Sequence, residues 1–186
     1  MPKNSQSTLE TMLFEAANAA EAGDTSTAAD IYRELIAVHP ECAPAYVNLG
    51  TLHAHEKRFE AAAALYFKAI EVDPNYTMGH FNYANVLEEL GQLSEACQSY
   101  ERALETNPRH ADSHFNLALA YERAEDFRQA VRHWEAYLEL DKGSKWSAVA
   151  RQHVESLTAT KRIQVVARTE SPARTLEPRP ALFLVK

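Results

Sequence analysis

Histidines and paired carboxylates are the side chains of this 186-residue chain with the chemistry to hold a metal or move protons. His53 and His55 are two residues apart, a spacing that points them to different faces of a helix, so they cannot chelate together. His110 and His114 have the i, i+4 spacing of a helical ligand pair, but no third ligand accompanies them and His114 falls on an apolar stripe. They are read as structural, and so is His80. Glu88 and Glu89 are adjacent, which separates them by about 100° around a helix and prevents joint acid–base work. Cys42 and Cys97 make neither a disulfide framework nor a metal-site spacing and are expected as reduced, packed thiols. With no glycine-rich phosphate loop and no nucleophile elbow, the chain reads as non-catalytic, with no metal and no cofactor.

What remains is recognition chemistry. Asn48, Asn82 and Asn116 recur at one constant step in mid-helix positions, where Ala or Glu would cost less. An Asn amide offers both a donor and an acceptor, so a row of them can satisfy the backbone of an extended peptide whatever its side chains. Each follows an apolar residue (Val47, Phe81, Phe115), and Thr51, Asn85 and Leu119 lie one turn further on the same side. In the first row Phe14 takes the Asn position, beside Leu13 and Ala17. The expected peptide-binding set is therefore Asn48, Asn82, Asn116, Val47, Phe81, Phe115, Thr51, Asn85, Leu119 and Phe14.

These side chains need helices to position them. Pro40, Pro74 and Pro108 keep the same step as the asparagines, and so do Ala28, Ala62, Ala96 and Ala130, with Tyr32, Tyr66, Tyr100 and Trp134 at i+4 from each Ala. A constant step of this size marks a chain built from one repeated supersecondary unit. Ala with an aromatic at i+4 lies on one helix face, where the small residue admits a neighbour and the ring fills the adjacent gap. The preceding helix of each unit carries a second stripe: Tyr46, Leu49, Gly50, His53, then His80, Tyr83, Ala84, Leu87, then His114, Leu117, Ala118, Tyr121. Each unit is a helical hairpin. Helices are expected at about 8–22, 26–38, 43–56, 60–72, 77–90, 94–106, 111–124, 128–140 and 145–160, with Ser7 and Glu10 as a capping box for the first and Ser94 capping the sixth.

The pattern resembles the tetratricopeptide-repeat family, most closely at Tyr46, Leu49, Gly50, Ala62, Tyr66 and Pro74, and covers residues 9 to 142. The resemblance implies an all-α, right-handed α-solenoid of antiparallel helical hairpins whose first helices line a concave groove. It also implies that Asn48, Asn82 and Asn116 act like the asparagine ladder in the repeat superhelix of O-linked N-acetylglucosamine transferase, gripping ligand main chain. A chaperone-type carboxylate clamp is not expected, because the groove rows carry no lysine. The first unit departs from the pattern at Met12, Glu15 and Ala16, as an N-terminal cap would. In the fourth unit Lys142 replaces the closing proline, and Ser144 is expected to cap a further helix striped with Trp146, Val149, Ala150, Val154 and Leu157.

Three segments follow: a flexible N-terminus at 1–7, the solenoid with its capping helix at 8–160, and a basic tail at 161–186. Residues 158–186 hold six basic and two acidic residues, a balance of +4, whereas residues 1–157 hold 13 basic and 24 acidic, a balance of −11. An acidic body repels phosphates, so nucleic acid is not an expected partner. The longest apolar run, Ala61 to Phe67, is far short of the roughly 20 residues that cross a bilayer. With no apolar run near the N-terminus, a cytoplasmic protein is expected. The expected function is an adaptor or scaffold that holds a protein or peptide segment. The alternative is self-assembly through Phe14, the capping helix or the tail, and the tail itself is a candidate to dock on the acidic body.

Overall fold

The Ala-and-aromatic stripe recurs on α2 (Thr25–Val38), α4 (Phe59–Val72), α6 (Leu93–Thr106) and α8 (Phe127–Leu140). In the computed structural model, which describes residues 3–169, all four alanines are fully buried and Tyr32, Tyr66, Tyr100 and Trp134 are at most 2% exposed. Burying one such ring is worth about 1.5–3 kcal/mol. Between these helices stand α1 (Lys3–Glu21), α3 (Ala43–His55), α5 (Thr77–Glu89) and α7 (Ala111–Arg123), and α9 (Lys145–Thr169) closes the series. Each helix packs on the next in the chain, and α3 also reaches α5, so four hairpins stack into an α-solenoid. Close approach within one hairpin depends on Gly50: a Cβ there would lie 2.8 Å from the Tyr66 ring.

The turn inside each hairpin repeats with the period of the helices. Gly23, Lys57, Gly91 and Glu125 each stand one repeat after the last and all have positive φ. Each gives its N–H to the third residue before it, and the following residue reaches back five, as in Asp24 N to Ala19 O at 2.9 Å and Arg58 N to His53 O at 2.9 Å. This left-handed cap satisfies carbonyls that the ending helix would otherwise leave bare.

Between hairpins, Asp73 and Asn107 accept from the backbone two residues on, at 3.0 and 3.1 Å, across the proline breaks. Asp141 does the same for Gly143 at 3.2 Å, so the fourth unit closes like the others although Lys142 stands in the proline position. Ser144 then caps α9 as expected, accepting from Trp146 N at 3.0 Å and Ser147 N at 3.3 Å.

Helix bounds from α2 to α8 fall within one residue of the sequence expectation. Three local expectations do not hold. Helix α1 begins at Lys3, so Ser7 lies inside α1, where a capping box has no bare N–H groups to serve. Ser94 lies one residue inside α6, whose N-cap is Gln92. Helix α9 runs to Thr169, past the expected end at 160, because no proline or glycine interrupts the chain before Pro172. The remainder of the basic tail, residues 170–186, lies outside the described residues.

Candidate functional site

The three Asn rungs stand on α3, α5 and α7, each partly buried. Asn116 donates through Nδ2 to Asn85 Oδ1 at 2.9 Å and reaches the Tyr100 hydroxyl at 3.5 Å. That hydroxyl lies 2.6 Å from Asn85 Oδ1 and 2.9 Å from Glu88 Oε2, and its one proton serves both acceptors. Burial and then the Glu88 carboxylate push the Tyr100 phenol well above its ordinary value, so it remains a donor. Glu88 also accepts from Arg123 Nη1 at 2.6 Å, tying α5 to α7.

The other rows vary this arrangement. Burial raises the Tyr32 phenol, and its hydrogen bond with Asn48, the counterpart of the Tyr100 and Asn116 pair, works against that rise. Thr51 Oγ1 donates to Val47 O at 3.0 Å, which leaves the Tyr66 hydroxyl, 3.2 Å away, as donor to Thr51 Oγ1. Trp134 Nε1 donates to Glu122 at 2.5 Å, one repeat on from Glu88, and His153 Nδ1 meets the same carboxylate at 2.8 Å. Asn82 makes no side-chain hydrogen bond among the described residues, so its donor and acceptor are both open.

Two cavities border the rungs. One of about 300 Å³ is lined by Tyr32, Asn48, Thr51, Leu52 and His55 with the α1–α2 corner. The other, about 280 Å³, is lined by Phe81, Asp112, Phe115, Asn116, Tyr137 and Trp146. Of the expected set, Asn48 and Thr51 border the first cavity, and Phe81, Phe115 and Asn116 border the second. Asn85 is committed to the Tyr100 network. Leu119 packs partly buried beside Ala118 and Trp134, and Phe14 is 67% exposed on α1.

Val47 is not a groove residue. It is 4% exposed, packed with Tyr46, Tyr66 and Val86. A helical wheel takes account of one hairpin, whereas the next hairpin covers this flank. Trp146 departs the other way: expected within the capping stripe, it is 49% exposed and lines the second cavity. Sequence reasoning missed Asp112, Tyr137 and Glu88, and only Glu88 left a signal, its recurrence as Glu122 at the repeat spacing.

His80, His110, His114 and His133 take structural contacts, whereas His53 Nδ1 is buried without a hydrogen-bond partner among the described residues. His80 Nε2 is 2.9 Å from Pro74 O and His114 Nε2 is 3.1 Å from Pro108 O, the same bond one repeat apart. A carbonyl only accepts, so both carry their proton at Nε2. His114 Nδ1 is then an acceptor, and His133 Nδ1–H donates to it across 3.0 Å. His110 Nδ1 accepts from Ser113 N at 3.2 Å and caps α7.

Stacked helical hairpins with polar rungs on alternate helices define a helical-repeat protein–protein interaction module. The chain belongs to the tetratricopeptide-repeat family: models described as tetratricopeptide or TPR repeats match residues 15–77, 65–98, 84–124 and 111–144. Among solved structures, MamA matches at 17% identity over 83% of this chain and 88% of its own, with a TM-score of 0.71. YrrB, described as a TPR protein with an unusual peptide-binding site, matches at 19% over 81% of this chain and 76% of its own, TM-score 0.68. These two likenesses speak for the fold alone. An O-GlcNAc transferase variant from Thermobaculum terrenum matches at 26% over 75% of this chain but only 27% of its own, TM-score 0.67. No curated protein matches the sequence. Among the described residues no helix is long and apolar enough to cross a membrane.

Proposed function

We propose that the chain is a non-catalytic adaptor that holds an extended peptide along the groove lined by α3, α5 and α7. Asn82 and the free carbonyl of Asn116 grip the ligand main chain, while Phe81 and Phe115 give apolar contact. The observation that carries this reading is that both cavities open beside Asn rungs. Affinity capture from native lysate with the wild type beside Asn82→Ala tests it. Capture of the same partners by both would mean that the groove is not the binding surface.

A second reading, self-assembly, is favoured by Phe14, which is 67% exposed on the first helix. Light scattering of the wild type separates the two: a monomeric mass leaves the adaptor reading alone, and a larger mass that falls in Phe14→Asp supports assembly through the first helix. Docking of the tail, on its own molecule or a neighbour, predicts that deleting residues 161–186 raises peptide affinity, and unchanged affinity together with an unchanged oligomeric state rules it out.

A further inference from the structure

The second cavity differs from the first in being built from rings around one carboxylate. Phe115 stands edge-on to three aromatic side chains, with centroids 4.8 Å from Trp134, 5.1 Å from Tyr137 and 5.6 Å from Trp146. Phe81 and Trp146 complete an aromatic wall, and Asp112 in the first turn of α7 is the one acidic residue of the lining. Asp112 makes no ion pair among the described residues. The Tyr137 phenol is turned to Asp141, to which it donates at 2.6 Å, so its ring rather than its hydroxyl is what the cavity has left. Trp146 is 49% exposed. The Lys145 ammonium lies 5.0 Å over that ring from outside the lining, so the indole face already carries a cation.

We infer that this cavity is a subsite for a cationic side chain, an arginine of the extended peptide. The inference rests on the groove reading above and names the kind of peptide it takes. The three-carbon stem lies against Phe115, and the guanidinium stacks on Phe81 while pairing with Asp112, away from the indole face that Lys145 covers. A planar, weakly hydrated guanidinium combines stacking with bidentate pairing better than an ammonium does, so arginine is preferred to lysine. An acidic side chain meets Asp112 and the −11 balance of residues 1–157, and is rejected. A purely apolar side chain would cover Asp112 without a partner, which costs more than it gains. The N-terminal cavity also has a carboxylate, Glu21, but sets only the Tyr32 and His55 rings beside it and lacks the cluster of phenylalanine and tryptophan rings.

The test uses the full chain against a displayed library of random nine-residue peptides, with circular dichroism confirming that each variant is folded. Arginine is expected at one fixed position of the selected peptides, and replacing it by Gln weakens binding about tenfold. Asp112→Lys is expected to turn that preference to Glu or Asp, and the milder Asp112→Asn to flatten it. If peptides are selected and Asn82→Ala weakens them, but no basic preference emerges or the preference survives Asp112→Lys, the arginine subsite is overturned and the groove stands. If no peptide is selected, the groove reading and the subsite fall together.

Discussion

Asn116 on α7 donates its amide to Asn85 on α5 across 2.9 Å, so a residue proposed to meet a ligand also joins two hairpins. Asn116→Ala should therefore lower the free energy of unfolding by about 1 kcal/mol, leaving Asn85 and Tyr100 to share fewer donors. Asn82→Ala, with no side-chain bond to lose, should stay within about 0.5 kcal/mol of wild type. Urea midpoints measure both, and equal effects would mean that the Asn116 bond carries nothing.

Lys57 and Glu125 occupy the left-handed cap that Gly23 and Gly91 fill in the other hairpins, with φ of 59° each. Both are exposed, so their side chains compensate little for the strain. Lys57→Gly and Glu125→Gly should each raise stability by about 0.5–1 kcal/mol, and additively, since the turns are far apart. A loss of stability in either variant would contradict this reading of the turn.

Burial, the facing His114 ring and then Arg132 hold the His133 imidazole down to about 4, and burial lowers His114 as well, while the Pro108 carbonyl pulls it back. A histidine kept neutral in the fold takes up a proton on unfolding. Its contribution is therefore complete above the unfolded value near 6.5 and is lost as pH falls toward the folded value, at up to about 1.4 kcal/mol per pH unit for each proton. The melting temperature should fall between pH 6.5 and 4, and His133→Gln should shallow that fall. A pH profile with the same slope in both proteins would remove His133 from the account.

Trp134 is fully buried and gives its indole N–H to Glu122. Trp134→Phe loses volume and a bond to a carboxylate, for an expected cost of about 2–4 kcal/mol by denaturant melt. Glu122 keeps His153, so the variant should remain helical by circular dichroism. A cost below about 1 kcal/mol would show the indole bond to be dispensable.

The sequence by itself determined the helices, the hairpins and the stacking order. Those follow from a single constant period in which every unit repeats the same local pattern and buries its stripe on the unit beside it, so Ala28 predicts Ala130. It also marked the rungs, because a poor helix former recurring in register stands out from its background. Only the tertiary structure decided which rung side chains are free. Val47 is buried by a hairpin that a wheel of its own helix does not contain, and Asn116 is engaged by Asn85 on another helix, far off along the chain. The aromatic cavity belongs to the same class: Phe81, Asp112 and Trp146 share no period, and they come together because neighbouring hairpins and the closing helix stack at one end of the solenoid.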